Sequence, residues 1–375
     1  MKKIDMASSV LFSQLSSSIH DIGFIDNIPI DGVFFKKTIK SKEYWYCKTV
    51  ASQNRNIYIG PCSNEEINHR VANYKAIQDS SRSIRKQNRN IVSSLKNLGF
   101  PGPDIKSGNI LSAIADTGFF RLRGVLVGSY AFQTYQGILG VKLNDANMVT
   151  FDVDLAKYHS ISVSIDEQIE NIERKLRLVD STFQPMGLPF NDLPPVKFRN
   201  SDGFVVEFLT PNISSDDYNG KPAKMPSLNM GAIPLRFLDF LIHNPINGII
   251  LHRSGIPVCV PSPDRYAIHK LIVAERRITD NHQFDKRNKD LMQASQIIQA
   301  YDLNQMNEEL AYTWIEAYDR GPTWKEILLQ SFNKIDKDIS DILKNSILEI
   351  AQNDVRNDII ECLNNSISPL KIKGF

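Results

Sequence analysis

The sequence predicts an α+β protein in three parts: an N-terminal unit with a small antiparallel sheet and a long helix (1–100), a mixed-sheet core with helices (101–240), and a helical C-terminal region (241–375). Three observations predict it. Aromatic and polar residues alternate through "GVFFKKTIKSKEYWYCKTVASQNRNIYIGP", the pattern of short paired strands. Short apolar runs then alternate with helical stretches from "GNILSAIADTGFF" to "GFVVEFLTP", and past residue 235 the spacing turns helical.

Taken in order, "VLFSQLSSSIHDIGF" reads as a short amphipathic helix, and the sheet that follows ends at Gly60-Pro61. A long helix starts from Ser63 as N-cap, with Glu66 three residues on, and runs to Leu98, where Gly99 and "PGPD" stop it. It carries Arg70, Lys75, Arg82, Arg85, Lys86, Arg89 and Lys96 against Glu65, Glu66 and Asp79. Such an imbalance suits a phosphate-tracking surface for RNA or DNA. With only Tyr74 interleaved among the charges, a solvated helix face is the simpler reading. In the core, "RGVLVGS" reads as a buried strand, "SYAFQTYQGIL" as a helix, "NMVTFDVDLA" as a strand, "IDEQIENIERKLRLVD" as a helix and "GFVVEFLTP" as another strand. In "PSPDRYAIHKLIVAERR", Ser262 is the expected N-cap and Pro263 the first helical residue; "FDKRNKDLMQASQIIQAY" follows at helical spacing.

Composition bounds the function. The chain has 375 residues, 42% hydrophobic and 23% charged, enough for a substantial core. A formal charge of +2 gives no global field for nucleic acid, so any basic surface is local. Cys47, Cys62, Cys259 and Cys362 lack C-x-x-C spacing, which argues against a zinc knuckle or disulfide framework and places the protein in the cytoplasm. Asp5, Gln14 and several serines interrupt the start, so no signal-peptide core is expected, and no apolar run reaches membrane-spanning length. His159, His243, His252, His269 and His282 show no zinc-site spacing, "VGSYA" lacks the second glycine of a nucleophile elbow, and no Walker loop occurs.

The chemistry concentrates in the core. Residues two apart on a strand share a face, so Asp152 and Asp154 of "FDVDL" stand side by side while Phe151, Val153 and Leu155 face inward. Two adjacent carboxylates repel, and hard oxygen ligands on a rigid strand suit Mg²⁺, which keeps waters and takes substrate phosphates. Taken alone, a D-x-D is as readily an exposed edge of a sheet. Glu207, flanked by Val206 and Phe208, is costly to bury unless a positive group meets it. Gly128-Ser129 sits where a strand turns into a helix, so its N–H groups and hydroxyl can hold phosphate oxygens; a plain turn with a serine cap is the bland alternative. Lys270 shares a helix with Tyr266, His269 and Arg276, and Lys289-Asp290 opens the next helix.

In order and context, "LVGSYAFQTYQGILGV", "TFDVDLA", "VEFLTPN", "VPSPDRYAIHKL" and "KDLMQASQII", with "YWYCK" and "IYIGP" upstream, resemble a bacterial family of nucleotidyltransferase-fold proteins within the polymerase-β-type superfamily. The resemblance spans most of residues 40–300. It implies a polymerase-β-type catalytic core flanked by the N-terminal unit, with the C-terminal helices completing the nucleotide site. It further implies transfer of a nucleoside monophosphate from a nucleoside triphosphate such as ATP to an acceptor hydroxyl, with Mg²⁺ or Mn²⁺ as cofactor. By resemblance, Gly128 and Ser129 anchor the triphosphate, Asp152 and Asp154 hold the metals, and Glu207 binds the second metal and prepares the attacking hydroxyl. The family usually has aspartate at that third position. Lys270 then reaches the nucleotide phosphates and Asp290 supports the site. RNA, such as a tRNA end, or a protein is the expected acceptor, and a regulatory partner protein is a further expectation. Two rivals remain open: a catalytically weak nucleotide-binding regulator, favoured by glutamate for aspartate, and a nucleic-acid-binding protein dominated by residues 30–98.

Overall fold

The structure is a computed structural model that describes residues 1–20, 32–48, 56–144, 150–160, 171–186, 194–212, 222–277 and 281–365. The chain divides into two compact units, one of residues 1–9, 100–252 and 256–375 and one of residues 10–99 and 253–255.

In the smaller unit, β1 (Val33–Ile39), β2 (Lys42–Lys48) and β3 (Asn56–Pro61) form an antiparallel sheet in that order, as the alternation predicts. One face closes on the helix α2 (Glu65–Asn97): Phe34 and Cys47 pack with Val71 and Tyr74, and Trp45, Ile59 and Ile67 border them. The helix starts one residue later than expected. Asn64, not Ser63, is the N-cap, because its extended backbone lets its side-chain oxygen accept the N–H groups of Glu66 and Ile67. An earlier helix, α1 (Met6–His20), begins four residues before the predicted Val10, with the Asp5 carboxylate accepting the Ser8 N–H at 2.9 Å; the rest of the predicted segment lies outside the described residues.

The larger unit is built on a mixed sheet, so the α+β expectation holds. Its path runs β4 (Val125–Val127), β5 (Asp152–Ala156), β8 (Val205–Pro211), β10 (Met230–Leu235) and β9 (Ala223–Met225), with β6 (Gln184–Met186) and β7 (Lys197–Arg199) attached through β8. The β4/β5 pair is antiparallel, whereas β5/β8 and β8/β10 are parallel. Helices α3 (Ile105–Asp116), α4 (Gly128–Leu139) and α5 (Ile172–Val179) come from the core segment. After the short α6 (Leu238–Leu241) come α7 (Pro263–Arg276), α8 (Asn281–Leu303), α9 (Asn307–Asp319), α10 (Pro322–Ser331), α11 (Lys337–Asn353) and α12 (Asn357–Asn365). One apolar core runs from Ile110 and Phe119 through the sheet to Trp314 and Leu343.

The C-terminal region is not wholly helical. A hairpin of β11 (Ile246–Ile250) and β12 (Ile256–Val260) lies where helical spacing is expected, pairing Ile246 with Val260 and Ile250 with Ile256. "INGII" and "IPVCV" are apolar runs too short to separate from helix by periodicity; Gly248 and Pro257 within them disfavour helix. Ser262 does occupy the N-cap position before Pro263, but its side chain makes no cap hydrogen bond. Among the described residues no helix is long and apolar enough to cross a membrane.

Asp180, just past α5, ties three segments together. Its carboxylate accepts the Thr182 hydroxyl at 2.6 Å and N–H at 3.0 Å and the Asn200 amide at 2.9 Å, with the Lys106 ammonium 3.4 Å away. The Thr182 donors, then Asn200 and Lys106, pull its pKa down to about 2 against a modest opposing effect of burial. A depressed carboxylate contributes stability that is present above its unfolded value and lost as pH falls toward the folded one. We predict that Asp180→Asn lowers unfolding stability by about 1–2 kcal/mol at neutral pH. The gap to the parent should narrow between about pH 4 and pH 2 in urea titrations.

Candidate active site

The alternation of β5 decides what faces what. Val153 and Leu155 are fully buried on one side, and Asp152 and Asp154 project from the other. Phe151, expected to face the core, instead sits 63% exposed in the bend before the strand begins. Parallel pairing places Asp154 directly opposite Glu207 on β8. Antiparallel pairing places Val127, the last residue of β4, opposite Asp154 on its other side. The glycine turn therefore starts beside the second aspartate of the pair.

Two constraints demand glycine there. Gly128 has φ of +71°, in the left-handed region, and a Cβ on it would lie 2.8 Å from the Asp154 Oδ2. The turn is held from a distant element as well: the Tyr266 hydroxyl of α7 lies 3.0 Å from the Gly128 carbonyl oxygen and 3.0 Å from the Gln293 Oε1 of α8. Ser129 is half-buried in the first turn of α4, inside the helix rather than at its N-cap, which is Val127.

A cavity of about 540 Å³ opens at this turn. Gly128 and Asp154 form part of its wall, and α7 supplies Tyr266, His269, Lys270, Val273 and Arg276, recurring every three or four residues along one helix face, with Arg277 added by the residue that caps the helix. The segment after β10 adds Arg236 and Phe237, and Leu209, Leu238 and Leu241 make the wall apolar elsewhere. Arg236 and Arg276 both lie over the Phe237 ring, with guanidinium carbons 5.3 and 5.1 Å from its centroid. Behind the wall, Asp290 is 2% exposed and accepts Lys270 at 2.5 Å and Arg277 at 2.7 Å.

The charges set the protonation states. Burial, then Asp152 and Glu207, push Asp154 up to about 7, against the pull of Lys270 and Lys286. Glu207 is also raised, mainly by burial, while Lys197 at 3.9 Å pulls it down. Burial works against ionising Asp290, yet Lys270 and Arg277 bring it below the usual carboxylate range. His269, half-buried in the cavity wall, is pushed down to about 3 by desolvation and by Lys270 and stays neutral, Asp290 offering only partial relief. Lys289 is lowered by burial first and by Lys270 next.

Of the residues singled out by sequence, Gly128, Asp154 and Lys270 line the cavity and Asp290 braces it. Asp152 and Glu207 share the strand face of Asp154 without lining the cavity, and neither does Ser129. Arg236, His269, Arg276 and Arg277 were not assigned to the site. His269 and Arg276 on α7 and Arg277 at its cap carried a signal, the helical recurrence from Tyr266; Arg236 carried none.

The strand face suits a divalent metal. The donors on the strand face are hard oxygens, and Asp154 is under like-charge pressure that a divalent cation relieves, so Asp152 and Asp154 together with substrate phosphates fit Mg²⁺. Among the described residues, no three acidic, histidine or cysteine side chains gather into a metal-holding group by themselves.

Because His269 is neutral when folded and protonates near its ordinary value when unfolded, it withdraws stability as pH falls from about 6.5 toward 3, at up to about 1.4 kcal/mol per pH unit. We predict that the parent loses stability relative to His269→Gln over that interval, read as diverging urea midpoints.

A family model described as Nucleotidyltransferase matches residues 106–319, a span containing every residue named above for this site. A search of curated proteins gives no match. A solved structure of an antigenic nucleotidyltransferase-like protein from Paracoccidioides brasiliensis is similar at 16% identity, over 65% of this chain and 94% of that one, with a TM-score of 0.33. With more than half its length matched by that model, this chain belongs to the nucleotidyltransferase family.

Proposed function

We propose that the protein transfers a nucleoside monophosphate from a nucleoside triphosphate to an acceptor hydroxyl and releases pyrophosphate. One observation carries the reading: a cavity of nucleotide size in which a glycine turn and a carboxylate meet four cationic side chains, Arg236, Lys270, Arg276 and Arg277. Asp290 offsets two of these from behind, and Asp154 is the one acidic side chain in the wall. A polyphosphate complements that balance, and the apolar stretch of Leu238, Leu241 and Val273 suits a base or sugar face.

In this reading the acceptor oxygen forms a bond to the α-phosphorus while the bond from that phosphorus to the bridging oxygen breaks, and pyrophosphate leaves with the electron pair. The hydroxyl proton passes to a carboxylate of the strand face, which we assign to Glu207. Lys270, Arg276 and Arg277 hold the phosphates, and Tyr266 fixes the Gly128 turn against which they lie. Asp152 and Asp154 would hold Mg²⁺, which supplies charge to neutralise the departing pyrophosphate and to acidify the acceptor hydroxyl. Residues 101–240 form the catalytic core in this assignment, and α7 and α8 complete the nucleotide wall. The four cysteines, none of them in a disulfide, are consistent with a reducing, cytoplasmic setting.

A second reading keeps the pocket and drops the turnover: a nucleotide-binding regulator. It is favoured by Glu207, which stands 3.9 Å from Lys197 and closes no three-carboxylate group with its neighbours. Titration calorimetry with each nucleoside triphosphate, alongside pyrophosphate release, separates the two, since a sensor binds without product.

For the transferase we expect Asp152→Ala and Asp154→Ala each to lower pyrophosphate release at least about 100-fold with circular dichroism unchanged. Unchanged turnover in both removes the site. Glu207→Asp should keep measurable release and Glu207→Gln should not; equal rates remove Glu207 from the chemistry. Arg277→Ala should weaken nucleotide binding about tenfold in calorimetry, by loss of a phosphate contact.

A further inference from the structure

Among the described residues, the sheet of the smaller unit is covered on one side only. Alternation along β1, β2 and β3 sends Phe34, Trp45 and Cys47 toward α2 and sends Phe35, Tyr44, Tyr46 and Tyr58 to the opposite face. These four rings are not scattered. Phe35 stacks on Tyr46 with centroids 6.0 Å apart and planes inclined by 24°, Tyr46 meets Tyr58 edge-on at 5.6 Å, and Tyr58 meets Tyr44 at 6.0 Å. Register explains the row, since Phe35 pairs with Tyr46 and Tyr46 with Tyr58. Tyr58 is 54% exposed, and Val33 and Ile39 at the ends of β1 are exposed as well.

The charges on this face are of one sign. Lys37, Lys42 and Lys48 alternate into it from β1 and β2, all exposed, and the Lys37 ammonium lies 5.7 Å from the Tyr46 ring centroid. Glu43, the acidic residue of these strands, points to the other side and pairs with Lys36 at 3.2 Å. A continuous aromatic row rimmed by unopposed lysines complements a flexible polyanion that carries flat apolar faces. Single-stranded nucleic acid has that chemistry, with bases free to stack on the rings and phosphates to meet the lysines. A duplex hides its base faces, and an acidic peptide offers nothing for four adjacent rings to stack on.

We propose that this uncovered sheet face binds single-stranded nucleic acid. The proposal rests on the surface of this unit alone and stands or falls separately from the transfer reading, because its test is binding without any nucleoside triphosphate.

The test is fluorescence anisotropy of the full chain with labelled oligo-rU and oligo-dT of about 16 nucleotides, and with an RNA duplex of the same length. We expect both or either single strand to bind, with the duplex at least about tenfold weaker. Tighter binding of oligo-rU assigns RNA and tighter binding of oligo-dT assigns DNA. Tyr44→Ala with Tyr58→Ala should weaken binding about tenfold or more, whereas Tyr44→Phe with Tyr58→Phe, which keeps the rings, should stay within about twofold. Replacing Lys37, Lys42 and Lys48 together by alanine should reduce the slope of log affinity against log salt by about 2, at roughly 0.7 per phosphate contact. No binding of either single strand overturns the proposal, as it would if the face docks a protein instead. Equal binding of duplex and single strand also overturns it. Should the alanine pair melt early, the lysine variant decides: an unchanged salt slope overturns the proposal.

Discussion

A buried carboxylate shared by two cations holds the cavity wall together. Asp290 has almost no exposure, and Lys270 and Arg277 both close on it. Lys270 lies on α7 and Arg277 caps it seven residues on, so this single carboxylate of α8 sets the position of both along the cavity. Removing it would leave two cations facing each other with no counter-charge between them, the kind of loss that costs about 3–5 kcal/mol. The pair of contacts leaves the cations half-satisfied, with capacity to meet an anion entering from the cavity.

Across the cavity the balance is reversed. Asp154 is crowded by Asp152 and Glu207, and nothing in direct contact neutralises it. The crowding is a product of register: parallel pairing of β5 with β8 and antiparallel pairing with β4 bring two carboxylates and the glycine turn to neighbouring positions. Tyr266 bridges the halves by reaching the Gly128 carbonyl from the helix that carries the cations. Excess negative charge on the strands and excess positive charge on α7 are thus kept apart at fixed positions. A polyphosphate accompanied by divalent cations satisfies both at once.

Local pattern made part of this legible. Period-two alternation put Asp152 and Asp154 on one face, and a glycine at a strand end announced the turn with Gly128. Both depend on residues adjacent in sequence. Phe151 falls outside the strand, which starts at Asp152 rather than at the expected Asn147, and the alternation says nothing beyond the strand. The hairpin Ile246–Ile250 with Ile256–Val260 was missed because its partners specify each other only through pairing. Arg236 reaches the cavity from the loop after β10, a placement set by long-range packing that leaves no spacing to read. The α7 cations were readable in principle, since Tyr266, Lys270, Val273 and Arg277 recur at helical intervals, but a cationic helix face also reads as solvated.

The partly exposed aromatic row of the smaller unit followed the same logic. Its alternation predicted the strands, while the ring contacts needed the register of all three.

The most direct test of the two-sided charge arrangement is a crystal structure of the protein with a non-hydrolysable nucleoside triphosphate analogue and Mn²⁺. The account predicts phosphate density against Lys270, Arg276 and Arg277 and anomalous signal beside Asp152 and Asp154. Phosphates bound away from α7, or Mn²⁺ bound with both aspartates unengaged, would contradict it.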